Sequence, residues 1–330
     1  MPPEPRANSH FRGHEEAVGA LHHAAISGRL HHGWLLAGPP GIGKATLAYR
    51  FGRWLLAGGQ SPNLAVPETD GVFRRVAANT HPDFFTVERR VNEKTEKLQG
   101  EIVIKTVQQA SAFMRLTPAE GGWRVVVVDG AEDMNPNAAN ALLKLLEEPP
   151  PRAILLLVSA APGRLLPTIR SRCRVLPMSP LPDPTMHALL ADYAPEADAK
   201  RLTELAEGSI GNAINLAEGD GVAIAALVDE ALNAPVKPAR AQAIADNVAR
   251  AVEGADKFEL FFSLLRARLA ARTRAQARAG GAQQSHAGAA HLSHNVTLWQ
   301  DFGKLEREVL GLNLDKRAAI VLALEQLHRS

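Results

Sequence analysis

Residues 38–46 read GPPGIGKAT, a glycine-spaced loop that ends in a lysine and, two places on, a hydroxyl residue. These residue types at this spacing bind phosphate. Gly38, Gly41 and Gly43 let backbone N–H groups turn inward around phosphate oxygens, and Lys44 stands where a cation would meet the β- and γ-phosphates. The position after the lysine should carry the hydroxyl that binds Mg²⁺, but it holds Ala45, and Thr46 comes one place late on a different side of the helix. Two other groups could join phosphate chemistry. Asp129 closes an apolar run of four valines, and Arg170, Arg172 and Arg174 fall within five residues of one another. A guanidinium can stabilise charge on a transferring phosphoryl group, or it can simply cover a strand end beside local carboxylates.

The elements that must position these groups follow from periodicity. Residues 34–37 are a short apolar strand before the loop, and 47–51 have helical spacing after it, which is the strand–loop–helix context a phosphate loop requires. Residues 15–30 read as a helix with Val18, Leu21, Ala24 and Ala25 on one face. Residues 58–79, rich in Gly, Pro, Asn and Ser, read as an irregular excursion. A strand is expected at 84–87, a charged and mobile loop at 89–100, and a helix at 102–116. Val125 to Val128 cannot belong to a half-exposed strand, so this strand lies inside a parallel sheet, with Asp129 at the edge where such sheets bind ligands. Asn135 and Pro136 start a helix as N-cap and first residue, and Pro149 to Pro151 stop it. Glu147 and Glu148 sit in its last turn, where the macrodipole disfavours anions; they are either two solvated acids or meet a specific cationic partner. Strands at 154–159 and 175–176 complete a doubly wound α/β domain over residues 1–178.

Prolines 177, 180, 182 and 184 mark a hinge beyond which everything reads as helix. Helices at 185–193, 199–207 and 212–218, with 208–211 as a turn, form a small domain over 179–221. Residues 222–330 form a longer helical region broken at Pro235 and Pro238, with 279–294 as a flexible loop of Ala, Gly, Gln, Ser and His. Arg266, Arg268, Arg272, Arg274 and Arg278 make a basic stretch, read as a solvated helix face in preference to a DNA contact.

Composition sets the class. The chain has 330 residues, 46% hydrophobic and 22% charged, enough for more than one domain core. A formal charge of +2 offers no global field for nucleic acid. One cysteine, Cys173, excludes a disulfide framework and a cysteine-rich zinc module within the chain. His22, His23, His31 and His32 flank the first strand without carboxylates or cysteines at ligand spacing, so no metal is expected. The first residues lack the apolar core of a signal peptide, and no apolar run approaches the ~20 residues of a membrane span, so a cytoplasmic protein without membrane contact is expected.

Four stretches carry a resemblance: GRLHHGWLLAGPPGIGKATLA, HPDF, WRVVVVDGAEDMNPNAANALLKLLEEPP and LLPTIRSRC, in that order and covering about Ala20 to Pro180. They resemble the clamp-loader branch of the AAA+ proteins, as found in the bacterial DNA polymerase III holoenzyme. The AANALLKLLEEPP and TIRSRC segments are far more specific than the phosphate loop alone. The resemblance implies an AAA+ P-loop domain followed by a helical lid (179–221) and an all-α collar (222–330). It also implies a hetero-pentameric ring, with nucleotide sites between subunits and with motor subunits and a delta subunit as partners. In that ring Ser171-Arg172-Cys173 is the SRC motif, and Arg172 is an arginine finger that reaches a neighbour's ATP.

Departures from the family pattern qualify the picture. Asp129 is followed by Gly130 where a hydrolysing member has a water-orienting glutamate, and Glu132 is expected to point elsewhere. Gly211 stands where the lid of a motor carries an arginine, and the four-cysteine zinc module of some relatives is missing, so zinc is not expected. With Ala45, three catalytic positions are lost, each of which typically costs orders of magnitude in rate. The expectation is a non-hydrolysing subunit that serves ATP-driven loading of a sliding clamp on primed DNA. Its own loop, through Gly38, Gly41, Gly43, Lys44, Thr46 and Asp129, is either vestigial or a weak ATP or ADP site. The alternatives are an active motor ATPase of the same ring and a P-loop kinase acting on a small metabolite.

Overall fold

The apolar runs pair as five parallel strands: β1 (Gly33–Ala37), β2 (Phe84–Val87), β3 (Arg124–Asp129), β4 (Ala153–Ser159) and β5 (Arg174–Pro177). Their order is β2-β3-β4-β1-β5, with Val127 opposite Leu156 and Leu35 opposite both Leu157 and Val175. The computed structural model describes residues 3–91, 98–120, 122–217, 220–250, 257–279 and 286–328. Val125 to Val128 are fully buried, as an interior strand of a parallel sheet must be.

Alternate residues along each strand feed two cores. Trp34, Leu36, Val125, Val127, Ile154 and Leu156 pack under α1 (Glu15–Ile26), α2 (Lys44–Leu56) and α3 (Gly71–Ala77). Leu35, Val126, Val128, Leu155 and Leu157 pack under α4 (Ile104–Met114), α5 (Pro136–Glu147) and α6 (Pro167–Ser171). Helices on both faces of a parallel sheet, with the glycine loop between β1 and α2, make this a doubly wound α/β fold. The expected caps of α5 are present: the Asn135 side chain accepts from Ala138 N–H, and Pro136 opens the helix.

Two expected irregular segments contain helix, and a third lies partly outside the described residues. The excursion at 58–79 contains α3, started by Asp70, whose carboxylate accepts from Val72 N–H, and held by buried Val72, Phe73 and Val76. The loop at 89–100 lies partly outside the described residues, and its flanks Val91 and Leu98 form an antiparallel bridge. The loop at 279–294 also lies partly outside them, but from His286 onward the chain is helix, because alanines with high helix propensity outweigh the scattered glycine.

By internal contacts the chain parts into two units, Met1–Gly211 and Asn212–Ser330. The first unit also holds α7 (Asp183–Tyr193) and α8 (Ala199–Ala206), and α9 (Ile210–Ala217) begins at its end, so Gly211 is already helical and not part of a turn. Glu218, the expected end of that helix, lies outside the described residues.

The second unit contains α10 (Gly221–Asn233), α11 (Pro238–Val248), α12 (Lys257–Ala279), α13 (His286–Leu312) and α14 (Lys316–Gln326). Phe258, Phe261, Phe262 and Phe302 form its aromatic core. The basic stretch on α12 is partly engaged by its own unit. Arg266 pairs with Glu306 at 3.0 Å over the Trp299 ring, and Arg268 lies 3.4 Å from Asp229. Arg272 donates to Leu232 O and Asn233 Oδ1, capping the end of α10. Arg266 and Arg268 are thus half-buried in ion pairs, whereas Arg272 and Arg274 are exposed, as on a solvated face, and the Arg278 side chain lies outside the description.

Candidate functional site

The phosphate loop is held open by its surroundings. Gly41 and Gly43 have φ of +72° and +100°, and a Cβ on Gly38 would lie 2.1 Å from Met178 O, so these glycines are required by backbone geometry. Each carbonyl from Pro39 to Ile42 accepts a hydrogen bond. The donors are Lys44 Nζ to Pro39 O (2.5 Å), Ser209 Oγ to Pro40 O (3.0 Å), Gly211 N–H to Gly41 O (2.9 Å) and His14 Nε2 to Ile42 O (2.8 Å). The first N–H groups of α2 have no intrahelical acceptor and are available to an anion, with the helix dipole behind them. The cradle therefore fits a phosphate.

Its electrostatics are set by burial. Lys44 is only 5% exposed, and burial draws its ammonium down to about 8 against the support of Glu132 and Asp129. Burial also raises the Asp129 carboxyl to about 6, reinforced by Glu88 and Glu132 and opposed by Lys44 and Arg6. For both groups desolvation outweighs their mutual attraction.

The structure gives physical reasons for the three departures. Ala45 packs against the core under α2, and Thr46, two residues beyond Lys44, is turned roughly 200° from it around the helix. Gly130 has φ +75°, and a Cβ there would approach Asp133 Oδ2 at 3.1 Å, so a glutamate in this position would be strained. Glu132 is pinned to the end of β4, where its Oε1 accepts from Ala160 N–H at 2.8 Å, while its charge still supports Lys44. A Cβ on Gly211 would meet Gly41 Cα at 3.0 Å, so any side chain there would press on the loop backbone.

Arg172 lies elsewhere. It caps α6, and its Nη2 contacts Glu147 Oε1 at 2.9 Å while Nη1 donates to Thr168 O at 3.1 Å. Its carbonyl would lie 3.3 Å from a Cβ on Gly33, at the start of β1, whereas the phosphate loop follows the end of β1. A strand length, ~15 Å, separates the two ends. The sheet thus brings Gly38, Gly41, Gly43, Lys44 and Asp129 to one edge and Arg172 to the other. Neighbouring Arg174 stacks over Trp34 at 5.0 Å, and burial pushes the Cys173 thiol up to about 12, which leaves it unreactive.

The histidines near β1 have structural work. His32 Nε2 donates to Leu146 O at 3.0 Å, its ring stacks on His31, and His22 packs edge-on to Trp54. Sequence reasoning missed the N-terminal arm. Arg6 pairs with Glu88 at 2.8 Å, and the buried Arg50 and Arg53 donate to arm carbonyls of Ser9, Arg6 and Asn8. Asn8 then bonds Tyr193 of α7. No local motif signals these contacts, because their partners lie 41 or more residues away.

The family model "DNA polymerase III, delta subunit" matches residues 13–182, about half of the chain and the part that holds both sheet edges. DNA polymerase III subunit delta' of Pseudomonas aeruginosa is 42% identical over 175 residues, covering 53% of this chain and 51% of that protein. Subunit delta' of Escherichia coli is 33% identical over 196 residues, covering 59% and 57%. Subunit tau of Escherichia coli is 31% identical over 225 residues, covering 63% of this chain and 33% of that protein. The chain spans about half the length of the curated delta' relatives it matches.

Proposed function

The chain belongs to the DNA polymerase III delta-subunit family of clamp-loader proteins, and from that premise we propose that it is a delta-prime-type subunit that does not hydrolyse ATP and lends Arg172 to a neighbour's ATP site. The observation that carries this reading is the position of Arg172 at the sheet edge opposite the chain's own phosphate loop. A guanidinium there cannot serve Lys44 of the same chain, but it can meet the loop edge of an adjacent subunit, where it would stabilise charge on the transferring phosphoryl group. Ala45, Gly130 and Gly211 support the other half of the reading.

In this reading the partners are the motor subunits and delta of a hetero-pentameric ring in the cytoplasm, which opens the sliding clamp and places it on primed DNA. The domain over 179–221 is the lid and that over 222–330 the collar. Gly38, Gly41, Gly43 and Lys44 would hold the phosphates of a weakly bound ATP or ADP, with Thr46 and Asp129 contributing little without a metal hydroxyl beside them. Likeness to tau and the intact cradle favour a second reading, an active motor ATPase.

Reconstitution of the loader with Arg172→Ala and with Lys44→Ala separates the two. Arg172→Ala is expected to lower clamp- and DNA-stimulated hydrolysis by ~10-fold or more, and Lys44→Ala to change it little. The reverse pattern would sink the proposal. Gel filtration checks that both variants assemble.

A further inference from the structure

Glu147 ends α5, where the helix dipole disfavours an anion, so its carboxylate needs a cation nearby. The structure supplies Arg172, 25 residues on, at 2.9 Å. The two meet because the ends of α5 and α6 converge over Gly33, where a Cβ would strike Leu146 Cδ2 at 2.9 Å and Arg172 O at 3.3 Å. His32 fastens the same corner by donating to Leu146 O. The LLEE and SRC segments, separate motifs in the sequence, thus form one seat.

We propose that Glu147 is a positioning residue for the arginine finger, a role that rests on the reading of Arg172 given above. A guanidinium has five N–H donors. One donates to Thr168 O, and the Glu147 carboxylate holds Nη2 as an ion pair at 2.9 Å, which together orient the group and leave its other donors for a neighbour's phosphate. An arginine without such anchors spreads over many rotamers and must be ordered when the partner arrives. Glu147 itself does not reach the phosphate. The pair is half exposed (37% and 47% for the two side chains), so its contribution is modest.

The test uses the loader reconstituted with the full chain. Glu147→Ala is expected to lower the stimulated kcat roughly two- to five-fold with KM for ATP unchanged, since only the transition state feels the finger's placement. Glu147→Gln, which keeps an acceptor, should fall between the alanine variant and the parent, and it carries the test if the alanine variant does not assemble. Glu147→Lys should approach the Arg172→Ala level. Adding Glu147→Ala to Arg172→Ala should cause no further loss, a non-additivity that a merely structural role would not produce. If Arg172→Ala is damaging while the Glu147 variants leave kcat intact, or if the two losses multiply, the positioning role is overturned and the finger stands. If Arg172→Ala is itself silent, the finger and its seat fall together.

Discussion

Lys44 and Asp129 are each pushed toward their neutral forms, and this sets a pH signature. The Asp129 carboxyl is raised from 3.8 to about 6 in the folded chain. Its stabilising contribution is therefore full below about pH 3.8 and is lost as pH rises through about 6, so at neutral pH the ionised group costs stability. Asp129→Asn is expected to raise chain stability at pH 7–8 by about 1–2 kcal/mol, and the gain should vanish near pH 4. Denaturant melts at the two pH values check this, and an equal gain at both would refute it. Lys44 has the opposite window: its ammonium is lowered from 10.5 to about 8, so its contribution is present above 10.5 and lost as pH falls through 8. A bound phosphate would relieve that cost, as a phosphate cradle requires.

At the scale of elements, the start of α9 sits directly on the phosphate loop. Gly211 N–H bonds Gly41 O, and Ser209 bonds Pro40 O. From sequence, Gly211 is legible only as a missing cation. The packing adds that a side chain here would crowd the backbone of the loop. Restoring the motor residue with Gly211→Arg should therefore lower stability by about 1–3 kcal/mol through overpacking and give no ATPase activity to the isolated chain. A melt and a turnover assay read the two outcomes; a stable, hydrolysing variant would show that the glycine is an accident of sequence. Helix α5 shows the opposite case, since Asn135, Pro136 and the closing prolines define it locally, and its boundaries follow from residues within one turn of each end.

Across the second unit as a whole, part of the charge on α12 is engaged by distant partners. Arg266, Arg268 and Arg272 hold α12 to Glu306, Asp229 and the end of α10. Arg266→Ala would strand Glu306, whose carboxyl burial already pushes up. A loss of about 2–3 kcal/mol is expected, below the full cost of breaking a buried pair because the pair is partly exposed. DNA binding by the chain should not change, as filter binding beside a melt would show. Among the described residues no helix is long and apolar enough to cross a membrane.

The features legible before folding are local or periodic. The glycine spacing marked the cradle, four valines marked an interior parallel strand, and Asn135-Pro136 marked a helix start, because each is decided by backbone geometry within a few residues. Ala45, Gly130 and Gly211 were legible as departures from a pattern. The tertiary structure alone decided where these pieces meet. It set Lys44 and Asp129 at one sheet edge and Arg172 at the other, because strand register, not sequence distance, fixes which ends converge. It gave Glu147 its cation, paired Arg266 and Arg268 of α12 with distant carboxylates and tied the N-terminal arm to α2. Each of these is an ion pair or a carbonyl contact between distant segments, and its energy exists only once the chain has folded.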